Sequence, residues 1–259
     1  MKIAILGAGA FGTTLGGVLT DKGYDIDYYD PKLGHKSLAN VLAGAEYIVL
    51  CVPSSAVLHL LPQLPKDKPL IVATKGILSA ETFADFSDYM AMSGPGFADD
   101  IKAAKIAKLT ATDKRVVDLF TTDYLTFDFT NDKNGVLMCG ALKNVYAIMA
   151  GLMRLEPGTS THEKYLKAAL NEMKMILAVN SAKADTADLV CGQGDLRITC
   201  AYPSRNYEFG RTLSQNPEAQ PEKTVEGVSA LKRIKRGEII VPEDAIILRE
   251  LMMESGAWA

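Results

Sequence analysis

The glycine spacing Gly7-Ala8-Gly9-Ala10-Phe11-Gly12, directly behind the apolar run Ile3–Leu6, constrains this chain more than any other feature. In a strand that turns straight into a helix through G-x-G-x-x-G, each glycine has its own task. The first permits the tight turn, the second lets backbone approach a pyrophosphate, and the third lets the helix pack close to the strand. The helix N-terminus then presents unpaired N–H groups and the positive end of its dipole to the phosphates. Such a motif is weak by itself. At the head of a strand–turn–helix unit it predicts a dinucleotide site built on Gly7, Gly9 and Gly12.

The second apolar run, Asp25–Tyr29, is followed by Asp30-Pro31-Lys32. An acid about 20 residues beyond the first glycine accepts the adenosine ribose hydroxyls in dinucleotide folds. Asp30, at the end of the strand, suits that role better than Asp27 inside it. A carboxylate there repels a 2′-phosphate, which favours NAD; Lys32 nearby leaves NADP possible.

Along the first ~130 residues, short apolar runs alternate with helical patterns, as in a parallel sheet covered on both faces. Strands are predicted at Lys2–Leu6, Asp25–Tyr29, Tyr47–Cys51, Leu70–Ala73, Ala107–Ala111 and Leu125–Phe129, with helices near Ala10–Lys22, Ser54–Leu61 and Asp113–Phe120. Beyond Phe129 only helical periods remain: Asn131–Leu152, Thr161–Lys183, Arg205–Leu213, Val225–Arg236 and Pro242–Glu254. The fold class expected is therefore α/β, a Rossmann-type, mostly parallel sheet with helices on both faces over residues 1–130, followed by an all-α substrate domain over 131–259.

Lys143 stands out in the second half, as the one charged residue between Gly135 and Met153. That stretch is long enough to span a bilayer, but a central lysine costs ~2.5–3.5 kcal/mol on insertion scales. A buried core helix is the better reading, and lysines are rarely buried unless paired. Gly140, Ala147 and Gly151 fall on the lysine's side of an ideal helix and are expected to leave room for a ligand. Burial and a nearby cation would both lower the lysine's pKa toward that of a general base.

Other segments add to this. Lys75, in Ala73-Thr74-Lys75-Gly76, follows the carboxyl end of a strand, where open α/β sheets bind ligands. Gly192-Gln193-Gly194-Asp195-Leu196 sets an acid after two glycines, a turn on composition alone. Pro203-Ser204-Arg205-Asn206 reads as a helix start with Ser204 as N-cap, where N–H groups, a guanidinium and an amide together suit a phosphate. Ser93-Gly94-Pro95-Gly96-Phe97 is a turn into a helix.

Together with Gly140-Ala141-Leu142-Lys143-Asn144 and Val225-Glu226-Gly227, these motifs occur in the order of the NAD(P)-dependent glycerol-3-phosphate dehydrogenases, which the chain resembles from residue 1 to about 230. The resemblance implies an oxidoreductase interconverting dihydroxyacetone phosphate and sn-glycerol 3-phosphate, a cytoplasmic reaction feeding phospholipid synthesis. It implies Lys143 as proton donor and acceptor, Lys75 and Asp195 organising charge beside it, and Ser204, Arg205, Asn206, Gly94 and Gly96 toward the substrate phosphate. Ala10, Phe11, Ala98 and Glu226 fall where the family contacts the cofactor. The chain departs from the family in carrying Gly96 where a serine is usual, in lacking an arginine after the second strand, and in shorter connections after Asp30 and Lys75.

Two alternatives stay open: a related enzyme of the ketopantoate reductase or β-hydroxyacid dehydrogenase kind, since Arg205 and Asn206 suit carboxylate as well as phosphate, and a non-catalytic NAD(H)-binding, redox-responsive protein. Other classes are disfavoured. With 28 Lys+Arg against 31 Asp+Glu, the net charge of −3 offers no basic field for nucleic acid. Cys51, Cys139, Cys191 and Cys200 are widely spaced, with His35, His59 and His162 as the histidines, so no metal site and reduced cytoplasmic thiols are expected. The opening apolar run is broken by glycine, short of the ~7–15 residues of a signal-peptide core. Apolar helix faces in the second half predict a homodimer.

Overall fold

The structure, a computed structural model, describes residues 1–34, 36–96, 98–201, 203–256 and 258–259, so His35 and Phe97 of the motifs above lie outside the described residues. The chain divides into two compact units, Met1–Thr74 with Ala80–Lys133, and Lys75–Ser79 with Asn134–Ala259.

The first unit is built on β1 (Lys2–Leu6), β2 (Asp25–Tyr29), β3 (Tyr47–Leu50), β4 (Leu70–Val72), β5 (Tyr89–Ser93), β6 (Ala107–Ala111) and β7 (Leu125–Phe129). Their order across the sheet is β2-β1-β3-β4-β5-β6-β7. All neighbours are parallel except β5 and β6, which pair antiparallel through Met92 with Ala111 and Ser93 with Thr110. Because β1 sits between β2 and β3, the chain leaves it in opposite directions. That reversal opens a crevice at the carboxyl end of β1, where the glycine loop lies.

Strands form at every position predicted, and β5 is one more. Tyr89-Met90-Ala91-Met92-Ser93 has no β-branched residue and two methionines, so local propensity does not mark it. Pairing with β4 (Leu70 with Tyr89, Ile71 with Met90) makes it a strand nonetheless. Ile3, Ile5, Val49, Ile71, Met90 and Leu109 of the sheet meet Leu15, Leu19 and Phe120 in one core. Each such side chain contributes ~1.5–3 kcal/mol by leaving water. Over the sheet lie α1 (Ala10–Asp21), α2 (Leu38–Leu42), α3 (Ser54–Leu60), α4 (Ala98–Lys102) and α5 (Lys114–Phe120).

The second unit is helical: α6 (Lys133–Leu152), α7 (Ser160–Val179), α8 (Asp195–Thr199), α9 (Arg205–Leu213), α10 (Glu226–Lys235) and α11 (Ile246–Glu254), with a single π turn, Val190–Gly194, leading into α8. α6 is long and apolar enough to cross a membrane, yet it is buried on every side from Gly135 to Gly151. A helix apolar all round is a core helix when protein covers it. α9 crosses it at backbone contact: a Cβ on Gly210 would lie 2.0 Å from the Ile148 carbonyl oxygen, and one on Gly151 2.0 Å from that of Tyr207. Gly151 therefore serves this crossing, which corrects the expectation that it leaves room beside Lys143. α7 ends earlier than its apolar period predicts, because the Asn180 side chain bonds the Ile176 carbonyl and both backbone groups of Ile240.

Candidate active site

In the first unit, the glycine loop has the form its spacing predicts. Gly7 takes φ +103° and a Cβ there would lie 2.7 Å from the Cys51 carbonyl oxygen; at Gly12 it would lie 1.9 Å from that of Gly7. Gly9 is different. It is exposed, and a Cβ there would meet nothing within 4 Å. Gly9 N-caps α1 without a side-chain hydrogen bond, and Ala10 beside it is exposed. An open backbone edge over a helix N-terminus is what a pyrophosphate requires, so these residues fit a dinucleotide. Phe11, next in the helix, packs partly buried against the unit's core.

Asp30 lies half-buried at the end of β2, beside that loop: Oδ2 accepts the Ala8 N–H at 3.1 Å and Oδ1 accepts the Lys32 N–H at 3.0 Å. The carboxylate thus ties the glycine loop to β2. Asp27, by contrast, is engaged by Lys2 at 3.0 Å and by Lys36. Gly94 takes φ +150°, and a Cβ on Gly96 would press on Ile101 Cδ1 and Leu109 Cδ2 at 3.1 Å each, so this turn is packed close around its glycines. Ala98 opens α4, and its carbonyl oxygen lies 3.4 Å from the Thr14 hydroxyl on α1.

In the second unit, Lys143, Asp195 and Lys75 come together around one carboxylate. Lys143, 3% exposed, has its ammonium on Asp195 Oδ1. Lys75 Nζ approaches Oδ2 at 3.5 Å. Lys75 lies by chain position among the strands of the first half, but the segment Lys75–Ser79 belongs to the second unit, where Arg233 Nη1 donates to the Gly76 carbonyl at 3.0 Å. Asp195 is fully buried, not on a turn: the π turn hands it to α8 as the first helical residue.

Thr199, four residues on and so on the same face of α8, accepts a hydrogen bond from Lys143 Nζ at 3.0 Å. Thr199 is not conspicuous along the chain. Its signal was the Asp195/Thr199 spacing, visible only once residues 195–199 are known to be helical.

Electrostatics follow from burial. Desolvation drives the Lys143 pKa down to about 7, with the Lys75 charge pushing the same way and the Asp195 carboxylate opposing. Burial works to raise the Asp195 pKa as well, but the two lysines outweigh it and hold the carboxyl below its usual range.

Ser204 caps α9, accepting the Tyr207 N–H at 3.5 Å, and Arg205 at the first helical position is exposed. The buried Asn206 amide donates to Asn144 Oδ1 and accepts the Gly227 N–H, both at 2.9 Å. This ties the residue after Lys143 to the start of α10, where Glu226 is the first residue. The second side-chain N–H of Asn206 has no partner among the described residues. Among the described residues no His/Cys/Asp/Glu cluster could hold a metal.

An open dinucleotide loop in one unit and a buried lysine poised near neutrality in the other define a dinucleotide-dependent dehydrogenase. Residues 132–240 match the family model for the NAD-dependent glycerol-3-phosphate dehydrogenase C-terminus. A glycerol-3-phosphate dehydrogenase [NAD(P)+] of Citrifermentans bemidjiense is 31% identical over 265 residues, covering 83% of this chain and 79% of its own length. The crystal structure of glycerol-3-phosphate dehydrogenase from Coxiella burnetii shares the fold with a TM-score of 0.79 at 23% identity, over 98% of this chain and 94% of that one. A ketopantoate reductase from Ralstonia eutropha reaches 0.52 at 17% identity, over 98% of each chain. The chain belongs to the NAD-dependent glycerol-3-phosphate dehydrogenase family and is an NAD(P)-dependent oxidoreductase.

Proposed function

We propose that this protein reduces dihydroxyacetone phosphate to sn-glycerol 3-phosphate, and runs the reverse reaction, with Lys143 as acid and base. The observation that carries the reading is the buried Lys143–Asp195 pair, with Thr199 and Lys75 around it. When bound, the reduced nicotinamide supplies a hydride to C2 of the ketone. The Lys143 ammonium gives its proton to the C2 oxygen as negative charge develops there, and the hydroxyl and the neutral amine result. Asp195 and Thr199 fix the direction of the ammonium, so little rearrangement accompanies proton transfer. Lys75 keeps positive charge beside the reacting oxygen.

Arg205, exposed at the N-terminus of α9, is the phosphate ligand in this reading, and the remaining side-chain N–H of Asn206 and the helix start behind Ser204 assist it. Gly7, Gly9, Gly12, Ala10 and Phe11 hold the cofactor, Asp30 takes its ribose, and Ala98 lines it. Asp30 favours NAD over NADP.

The test is NADH oxidation against dihydroxyacetone phosphate, glyceraldehyde 3-phosphate and ketopantoate, repeated with NADPH. Turnover is expected with dihydroxyacetone phosphate and faster with NADH. A preference for ketopantoate overturns the substrate, and tight NADH binding without oxidation by any of them overturns the activity.

A further inference from the structure

The helix that presents Asp195 and Thr199 to Lys143 is one turn and a half, too short to hold itself. Its register is set from outside, by the first turn of α7. There Thr159 caps the helix, its hydroxyl accepting the His162 N–H at 3.2 Å. The imidazole of His162, 2% exposed, then reaches across with Nε2 to the Cys200 carbonyl at 2.9 Å, the residue that closes α8. A carbonyl only accepts, so Nε2 carries a proton, and Nδ1 finds no partner among the described residues. Glu163, the next residue, grips Arg197 of α8 at 2.5 and 2.8 Å. Both of those side chains are about half exposed, and an ion pair in water is screened and weak. The buried imidazole is the contact that water cannot replace.

We propose that His162 is a positioning residue for the reaction: through the Cys200 carbonyl it holds α8 in the register that keeps Asp195 and Thr199 on the Lys143 ammonium. The role rests on the reading of Lys143 as the acid and base. The groups facing Lys143 are Asp195 and Thr199 from α8, the Cys200 thiol at its end, and Lys75 from the turn after β4. Of these, Asp195 favours the ammonium. Loosening α8 weakens that support, so Lys143 gives up its proton at lower pH.

The test compares the whole protein with its His162→Leu and His162→Gln variants. Leucine fills the space without a donor, whereas the glutamine amide places an N–H where Nε2 stood. Reduction of dihydroxyacetone phosphate is followed across pH, together with backbone hydrogen exchange over residues 195–200. In the leucine variant kcat is expected to fall about tenfold to a hundredfold, as small misplacements of reacting groups do. KM for dihydroxyacetone phosphate stays within about twofold, the alkaline limb moves to lower pH, and exchange over 195–200 quickens; the glutamine variant restores all of these. A leucine variant that keeps kcat and the limb, losing only melting temperature, overturns the proposal, as does a glutamine variant as impaired as leucine. If the wild-type protein turns over no dihydroxyacetone phosphate, the proposed activity fails. The exchange over 195–200 then decides the clamp, and unchanged exchange in the leucine variant overturns it.

Discussion

A lysine in a helix without a solvent face is held here by one carboxylate and one hydroxyl, and that sets how its chemistry titrates. Replacing Lys143 with methionine keeps the helix but removes the proton carrier. kcat is expected to fall by about 10²–10⁴, the usual worth of a general acid or base, while NADH binding, followed by its fluorescence, is retained. With the Lys143 pKa near 7, the two directions have opposite pH dependence. In the proposed mechanism, oxidation of glycerol 3-phosphate uses the neutral amine and is expected to rise as pH climbs through that value. Reduction needs the ammonium and declines over the same range. Initial rates in both directions between about pH 5.5 and 8.5 (roughly 1.5 units either side of neutrality) check the sign. At the other unit, Asp30→Ala removes the acceptor for the Ala8 N–H and the negative charge that the proposed cofactor pose sets beside the ribose. The ratio of kcat/KM for NADPH to that for NADH is expected to rise by about tenfold or more, the worth of a charged hydrogen bond.

At the scale of elements, close approach and capping decide where the functional residues stand. Glu172 on α7 reaches the N-terminus of α11, accepting the Ile247 N–H at 2.7 Å and the Leu248 N–H at 3.2 Å, with the Tyr146 hydroxyl at 3.4 Å. Glu172→Ala leaves two N–H groups and a buried hydroxyl without their acceptor, at ~1–3 kcal/mol. The melting temperature should drop by about 2–4 °C for each kcal/mol.

Most elements were legible in advance because their signals are local. The Ile3–Leu6 strand, the glycine turn, and the apolar period of α6 each report on their own neighbourhood. Two were not. β5 became a strand only by pairing with β4, and residues 190–199, glycine-rich and turn-like on paper, wind into a π turn and α8 because Asp195 and Thr199 have Lys143 to bond. The site was legible in its charged members for the same reason: a lone lysine among apolar residues is conspicuous, while a threonine whose partner lies 56 residues away is not.

For the molecule as a whole, the two units predict a separation of folding from cofactor binding. Gly9→Val adds a side chain where nothing lies within 4 Å and at φ −71°, so the apo melting temperature should stay close to that of the parent protein. NADH at about a hundred times its Kd adds ~2.7 kcal/mol to the parent. The variant, its pyrophosphate edge blocked, should show no such upward shift in differential scanning calorimetry.

The amino-acid sequence by itself determined the nucleotide loop, most of the strands and helices, the buried lysine and the family to which they belong. All of these rest on spacing along the chain, where neighbours are fixed by covalent geometry. Only the tertiary structure decided that Lys75 joins the helical unit, that Gly151 serves a helix crossing, and that Thr199 and His162 stand behind the lysine. Those depend on which distant groups meet once water is excluded, and a buried ammonium or carboxylate takes whatever partner the fold brings within reach.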